Sequence, residues 1–254
     1  MRRMIGMVLL LVAVMAMNGS AQRPQAADEY DRDVAGRIAA LSERLRFKED
    51  DPESAHRYIE FEPLTERIRR EVDGYIHSAL NATEGSQGIQ ARLRTVLAAH
   101  TPNPEYGDLP FARVIDIRGG RSLIVAYTIV RGFHNDSATI RGYRWDVDRF
   151  ELVGTTDSDF DGYNMFKTEL PSPRRDEFWL LAWGQAHTFN GKKVRFRVYA
   201  FDGQGFRTVW SPDDLFNATP HVTESGFTID HEVRYLPYEI HDEYTLTQSG
   251  PIKR

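Results

Sequence analysis

The apolar positions of this chain change period once. From Asp28 to His100 they recur at helical spacing, and after Gly107 they alternate. Val34, Ile38, Leu41 and Leu45 form one stripe of an amphipathic helix, whose start Asp28 or Asp31 can cap. The polar run Lys48-Glu49-Asp50-Asp51-Pro52 ends it. Leu64, Ile68, Val72, Ile76 and Leu80 make a second stripe, with Pro63 near its first turn. Gly85 to Gly88 breaks the pattern. Ile89, Leu93, Val96 and Leu97 then predict a shorter third helix ending near His100. Thr101-Pro102-Asn103-Pro104 is the clearest boundary, because its two prolines forbid helix continuation.

Beyond it the spacing predicts strands. Phe111, Arg113, Ile115 and Ile117 alternate with Ala112, Val114 and Asp116, and Gly119-Gly120 signals a hairpin turn. Leu123 to Val130 is apolar on both faces, the pattern of a central strand covered on both sides. Ile140 to Val147 and Arg149 to Val153 make the next pair, turning at Val147-Asp148. Phe178 to Trp183 is a second covered strand. Asn190-Gly191 signals a type I′ turn, and Val194, Phe196, Val198 and Ala200 face away from Arg195 and Arg197. Asp202-Gly203 turns into Phe206 to Trp210. Gly226 to Val233 and Glu239 to Thr247 complete the strands. Helices first and antiparallel strands after is an α+β order: an N-terminal helical segment, 22–102, followed by an antiparallel β-domain, 108–250.

Within the β-domain, residues 121–162 laid over 177–218 give nine identities at an offset of 56 without a gap, among them Tyr143/Tyr199, Phe150/Phe206, Asp157/Asp213 and Phe160/Phe216. Average composition supplies roughly two or three in that length. The expectation is one supersecondary unit used twice, since neither copy can bury its apolar face alone. Each unit resembles a β-propeller blade or half a sandwich. Two copies cannot close a propeller, so a twisted sheet or sandwich of about eight to ten strands is expected, covered on one face or end by the helices. Phe160 and Phe216, at matching places in polar loops, are expected to be buried plugs.

The N-terminus reads as an address. Arg2 and Arg3 precede the short apolar run Met4 to Met17, and Gly19-Ser20-Ala21 places small residues before Gln22, a secretory signal peptide over 1–21. The run is shorter than the ~20 residues a bilayer span needs, so the mature chain is expected to be exported, periplasmic or extracellular, with no membrane span. The net charge is −5, and loss of Arg2 and Arg3 leaves −7, which argues against nucleic acid as a partner. The chain has no cysteine, so stability comes from packing without disulfides, and thiolate chemistry is excluded.

The sharpest local motif is Asp157-Ser158-Asp159-Phe160-Asp161-Gly162. Carboxylates at the first, third and fifth positions with glycine at the sixth look like the start of an EF-hand-type calcium loop, making Asp157, Asp159 and Asp161 candidate calcium ligands. The twelfth position, however, is Thr168 rather than a bidentate Glu, and Glu169 comes one place late. The second copy reads Asp213-Asp214-Leu215-Phe216-Asn217-Ala218 and keeps only the first Asp and the Phe. That remainder suits an Asx-turn followed by an aromatic plug, the reading favoured over calcium.

None of the eight histidines has HExxH spacing. His231-Glu232 and His241-Asp242-Glu243 lie on the last two predicted strands and meet if those strands pair antiparallel; exposed polar positions are the favoured account of them. No G-x-S-x-G, G-x-G-x-x-G or Walker A string occurs. The four tryptophans are read as core rather than sugar platforms. With every specific catalytic pattern failing, the expectation is a non-enzymatic exported protein serving binding or assembly with an envelope or extracellular partner. The alternative is a secreted hydrolase, carbohydrate-active among the options, with a carboxylate pair in a cleft.

Overall fold

A computed structural model describes residues 27–45, 58–102, 107–131, 136–156, 159–189, 191–233, 236 and 238–254. The proposed signal peptide, 1–21, and Asp157 lie outside these residues. The described chain holds three helices followed by twelve strands, an α+β protein with an antiparallel β-domain. None of these helices is long and apolar enough to cross a membrane. The helices are α1 (27–45), α2 (Tyr58–Ala79) and α3 (Ser86–Val96), with a 3₁₀ turn at Ala98–His100. Four strands, β1 (Phe111–Ile117), β2 (Gly120–Ile129), β3 (Ser137–Asp146) and β4 (Arg149–Thr155), form an antiparallel meander. Eight more form a second sheet: β5 (Asn164–Leu170), β6 (Phe178–Thr188), β7 (Gly191–Phe201), β8 (Phe206–Trp210), β9 (Leu215–Val222), β10 (Gly226–Glu232), β11 (Glu239–Thr247) and β12 (Gly250–Lys253).

The layers follow from β2, whose Ser122–Ile129 stretch is buried throughout. Leu123, Val125, Tyr127 and Ile129 pack against the stripes of α1, α2 and α3. Ile124 and Ala126 face the second sheet, where they meet Leu180, Ala182, Tyr199 and Phe201. The helices therefore cover one face of the small sheet and the large sheet covers the other. Polar ties hold the helical layer in place. Asp31 of α1 accepts hydrogen bonds from Tyr75 of α2 at 2.9 Å and Arg92 of α3 at 2.8 Å. His100 accepts the Val130 N–H on Nδ1 at 3.1 Å, so Nε2 carries its proton, 2.7 Å from the Ser42 hydroxyl of α1.

The large sheet has the order β12-β11-β10-β9-β7-β6-β5, with β8 beside β7. One edge of β7 is shared: Val198–Phe201 pairs with β8, and Lys193–Val194 pairs with β9. The sheet coils, so β12 returns to touch β8, and the Gly250 position stands 2.6 Å from the Val209 carbonyl measured from a built Cβ. Inside this coil lie Trp179, Phe196, Val198, Phe227, Ile229 and Tyr244. All four tryptophans pack in apolar clusters.

The alternation located the paired strands β1–β4, β6–β8, β10 and β11. It left β5, β9 and β12 unassigned, so the sandwich has twelve strands among the described residues rather than eight to ten. These three are short or carry mixed exposure, and β12 contains Pro251, which an edge strand tolerates. With 56 subtracted, β7–β8 pairs in the register of β3–β4, including a bulge at the same step: Gly142/Tyr143 in one, Val198/Tyr199 in the other. The preceding hairpins differ by one residue, Leu123 opposing Tyr143 where Leu180 opposes Tyr199. Gly142 is required by contact, because a Cβ there would stand 2.3 Å from the Phe201 ring.

Phe160 is buried at 1% exposure and seats over Gly184, where a Cβ would stand 2.6 Å from its ring. Phe216 differs from the expected plug. It lies at the start of β9, half-buried, its ring above Gly191. Phe160→Ala is expected to cost about 3–5 kcal/mol in urea denaturation, and Phe216→Ala about 1–2 kcal/mol. Equal losses would show that both rings contribute alike.

Candidate functional site

The acidic loop that stands out in the sequence ties the layers together. Asp159 accepts a hydrogen bond from the Tyr199 hydroxyl of β7, and its backbone carbonyl accepts Arg195 Nη1 at 3.1 Å. Asp161 accepts the Ser137 hydroxyl of β3 at 2.6 Å, and Ser137 in turn accepts Arg69 Nη2 of α2 at 2.7 Å. Gly162 takes φ 79°, and its N–H reaches the Asp136 carbonyl at 2.9 Å. Asp159 and Asp161 thus serve donors on different strands. Burial, then the bond to Asp159, pushes the Tyr199 phenol well up, so it stays a neutral donor. Among the described residues no three histidine or acidic side chains are grouped so as to hold a metal ion. The loop opens on a polar cleft of about 370 Å³ whose lining includes Glu62, Arg69, Asp159, Asp161 and Tyr199.

A larger cleft, about 450 Å³, opens at the other partner of β7, where β9 and β10 meet the β6–β7 hairpin. Leu215, Phe216 and Val233 give it apolar wall; Thr188, Lys193, Asp214, His231 and Glu232 give it polar groups. A bulge shapes it. Asp230 pairs with Thr219 but Glu232 pairs with Phe216, so β9 carries one extra residue, and Asn217 takes φ 46°. This turns Asn217 toward both neighbours. Its Oδ1 accepts the Lys192 N–H at 2.8 Å, and its Nδ2 donates to Glu232 at 2.7 Å.

Lys193 and Asp214, two of the charged groups in the cleft, are paired. Asp214 holds Lys193 Nζ at 2.8 Å, Arg195 Nε at 3.1 Å and the Tyr163 hydroxyl at 3.1 Å, while the Arg195 guanidinium lies 4.3 Å from the Tyr163 ring centre. Burial pushes the Asp214 carboxyl up, but hydrogen bonds from Arg195 and Lys193 outweigh it and hold the carboxyl below its ordinary value.

The antiparallel pairing of β10 and β11 brings the two sequence clusters together and divides them between faces. Inside the coil, His231 Nε2 lies 3.2 Å from Asp242, which also takes Lys253 Nζ at 2.7 Å and is only 7% exposed. Burial raises the Asp242 carboxyl, and the Lys253 and His231 bonds more than reverse this. On the outer face, Asp230 sits between His241 and His221, the latter at 3.4 Å. The sequence clusters lacked Asp230, and also Lys193 and Asp214, because these are joined only by strand register.

The rim is apolar. Phe189, at the β6–β7 tip directly after Thr188, is fully exposed at 104% of its reference area. Leu236 and Tyr238, in the loop after Val233, are also exposed, with Val233 N–H bonded to the Tyr238 carbonyl at 3.2 Å. Tip residues of this kind carry no periodic signal.

Asp214 and Asp242 bind protons more weakly in the folded chain than at the ordinary value of 3.8. Their stabilising contribution is therefore complete above that pH and is lost as pH falls through the lower folded value. Asp214→Asn is expected to cost about 2 kcal/mol at neutral pH and to flatten the acid limb of the Tm–pH curve. An acid limb as steep as that of the unaltered protein would refute this assignment.

No family model, no curated protein and no solved structure matches this chain.

Proposed function

We propose that this chain is an exported binding protein that holds a partner at the hairpin end of its β-domain. The observation that carries the reading is Phe189, a fully exposed aromatic beside the 450 Å³ cleft. A large apolar side chain left in water at a hairpin tip is a usual anchor for a partner, and an apolar-walled cleft with a few convergent polar groups is a usual ligand site. The partner that suits it presents an apolar side chain to Leu215, Phe216 and Val233, together with a polar group for His231 or Glu232. Export rests on the Arg2-Arg3, Met4–Met17 and Gly19-Ser20-Ala21 pattern. We also infer that the β-domain grew from one duplicated unit, supported by the common register and bulge of β3–β4 and β7–β8. The acidic loop is taken as a structural tie, and calcium binding is the alternative at Asp157, Asp159 and Asp161.

A hydrolase is the second reading, favoured by one observation. Asp242 is buried and holds one ring nitrogen of His231 at the cleft, as a general base is held. The expected carboxylate pair fares less well, since Asp214 is neutralised by Lys193 and Arg195 and cannot serve as a proton donor.

The two readings separate in one experiment. Mature protein is immobilised beside Phe189→Ser, His231→Ala and a control variant at another exposed apolar position, Ile252→Ser. Capture from native envelope extract is expected to fall about tenfold in Phe189→Ser, ~1.4 kcal/mol, to fall by a smaller factor in His231→Ala, and to persist in Ile252→Ser. Equal capture by all four proteins would overturn the hairpin-end site. Turnover of ester or glycoside substrates that disappears in His231→Ala would move the protein to the hydrolase class. Millimolar calcium is expected to leave the melting temperature within about two degrees, and a rise of about five degrees or more abolished by Asp159→Asn would restore the loop as a calcium site.

A further inference from the structure

The alternation of β5 is broken at one place. Met165, Lys167 and Glu169 share the face turned toward the small sheet, where Met165 packs between the sheets and Glu169 meets Arg113 of β1 at 3.2 Å. Between them a lysine occupies a position that the packing would fill with an apolar side chain, and its side chain is 2% exposed. Its Nζ donates to the Leu109 carbonyl at 3.0 Å and lies 3.6 Å from Asp108 Oδ2. The segment 107–110 is itself held against β5, with Asp108 N–H on the Met165 carbonyl at 3.1 Å and Asp108 Oδ2 on the Lys167 N–H at 2.9 Å. A cleft of about 380 Å³ opens here between α3 and β5, lined by Lys167, Asp108, Leu109 and Phe111 below and by Gln90 and Arg94 of α3 above. Arg94 has no carboxylate partner among the described residues, and the cleft is lined by both a buried amine and a guanidinium.

A local rule broken this way needs a reason, because burying an amine disfavours the fold where a methionine would pack. We propose that Lys167 is a carbonyl-capturing amine, which condenses in this cleft with a small aldehyde or 2-oxo acid whose carboxylate is held by Arg94. The neutral Nζ lone pair attacks the carbonyl carbon, and the C=O pair becomes a hydroxyl that takes up one Nζ proton. Loss of water then removes that oxygen with the second Nζ proton and leaves a C=N bond. One water is released and nothing is oxidised or reduced. Asp108 Oδ2, beside Nζ, relays the protons. Burial lowers the Lys167 ammonium to about 8, against the opposing charge and hydrogen bond of Asp108, so neutral amine is abundant near that pH. The other charges around it are Arg94 on α3 and the Arg113–Glu169 pair.

The test is reductive trapping on the full chain. The protein is treated at pH ~8 with glyoxylate and cyanoborohydride, in parallel with propanal, which lacks a carboxylate, and the modified lysines are mapped by peptide mass spectrometry. Lys167 is expected to be labelled by glyoxylate about tenfold faster than Lys192, Lys193 or Lys253, with a rate that climbs as pH rises through about 8. Arg94→Gln is expected to slow glyoxylate and leave propanal unchanged, a comparison that needs no substitution at the lysine. Labelling of Lys167 no faster than of the three surface lysines, or an unchanged ratio of the two probes in Arg94→Gln, would overturn the proposal.

Discussion

Everything in this fold answers to a strand that has no wet face. From Leu123 to Ile129 every side chain of β2 is buried, so the small sheet must be covered twice. Its odd-numbered side chains call for the three amphipathic helices and its even-numbered ones for the β5–β7 surface. A sheet covered on one side only would leave Ile124, Ala126, Ile140 and Phe201 in water, each losing roughly 1.5–3 kcal/mol of burial for the larger side chains. The close fit is set by small residues. Gly142 lets the Phe201 ring lie on the backbone of β3, and Gly184 does the same for Phe160 on β6.

Covering a sheet with helices that carry arginine and aspartate puts charge into the interface, and the chain resolves this by linking the layers with hydrogen bonds. Arg141 and Tyr143 of β3 both bond Asp73 of α2, the phenol at 2.6 Å. Arg69, 2% exposed, reaches Ser137 and through it Asp161, so one chain of bonds crosses from α2 through the small sheet to the acidic loop. Groups buried this way are costly when unpaired and specify geometry when paired. The acidic loop is thus better understood as the end of that chain than as an isolated cluster of negative charge.

The hairpin end has a different physical character. There β7 changes partner from β8 to β9, and a bulge at Asn217 absorbs the mismatch. A cleft forms where the ladder is interrupted, and Phe189, Leu236 and Tyr238, which lie close in sequence to its Thr188 and Val233, are exposed. Trp179, Phe196 and Phe227, inside the coil, belong to the same strands, β6, β7 and β10, whose ends line the cleft.

Much of the architecture is legible in the amino-acid sequence. The helical stripes at Val34–Leu45, Leu64–Leu80 and Ile89–Leu97 are the buried stripes, and the doubly covered strand is β2. These features depend on the backbone period, which is local: side chains three or four apart share a helix face, and alternate ones share a strand face. The candidate site was legible in part: the His231-Glu232 and His241-Asp242-Glu243 clusters were expected to meet if their strands paired antiparallel, whereas Asp230, Lys193 and Asp214 carried no signal, because pairing alone makes them neighbours. Asp230 meets His241 and His231 meets Asp242 only through the β10–β11 register, and Asp214 reaches Lys193 and Arg195 only because β9 takes the outer half of the β7 edge. The 56-residue offset puts Phe160 and Phe216 at matching positions, yet their burial differs, since Phe160 docks on Gly184 between two sheets and Phe216 on a hairpin tip. By itself the sequence determined the kinds of element, their order and which faces are apolar. Tertiary structure decided which faces meet, where β7 changes partner and which charges become neighbours, because register and bulges are set by contacts between residues far apart in the chain.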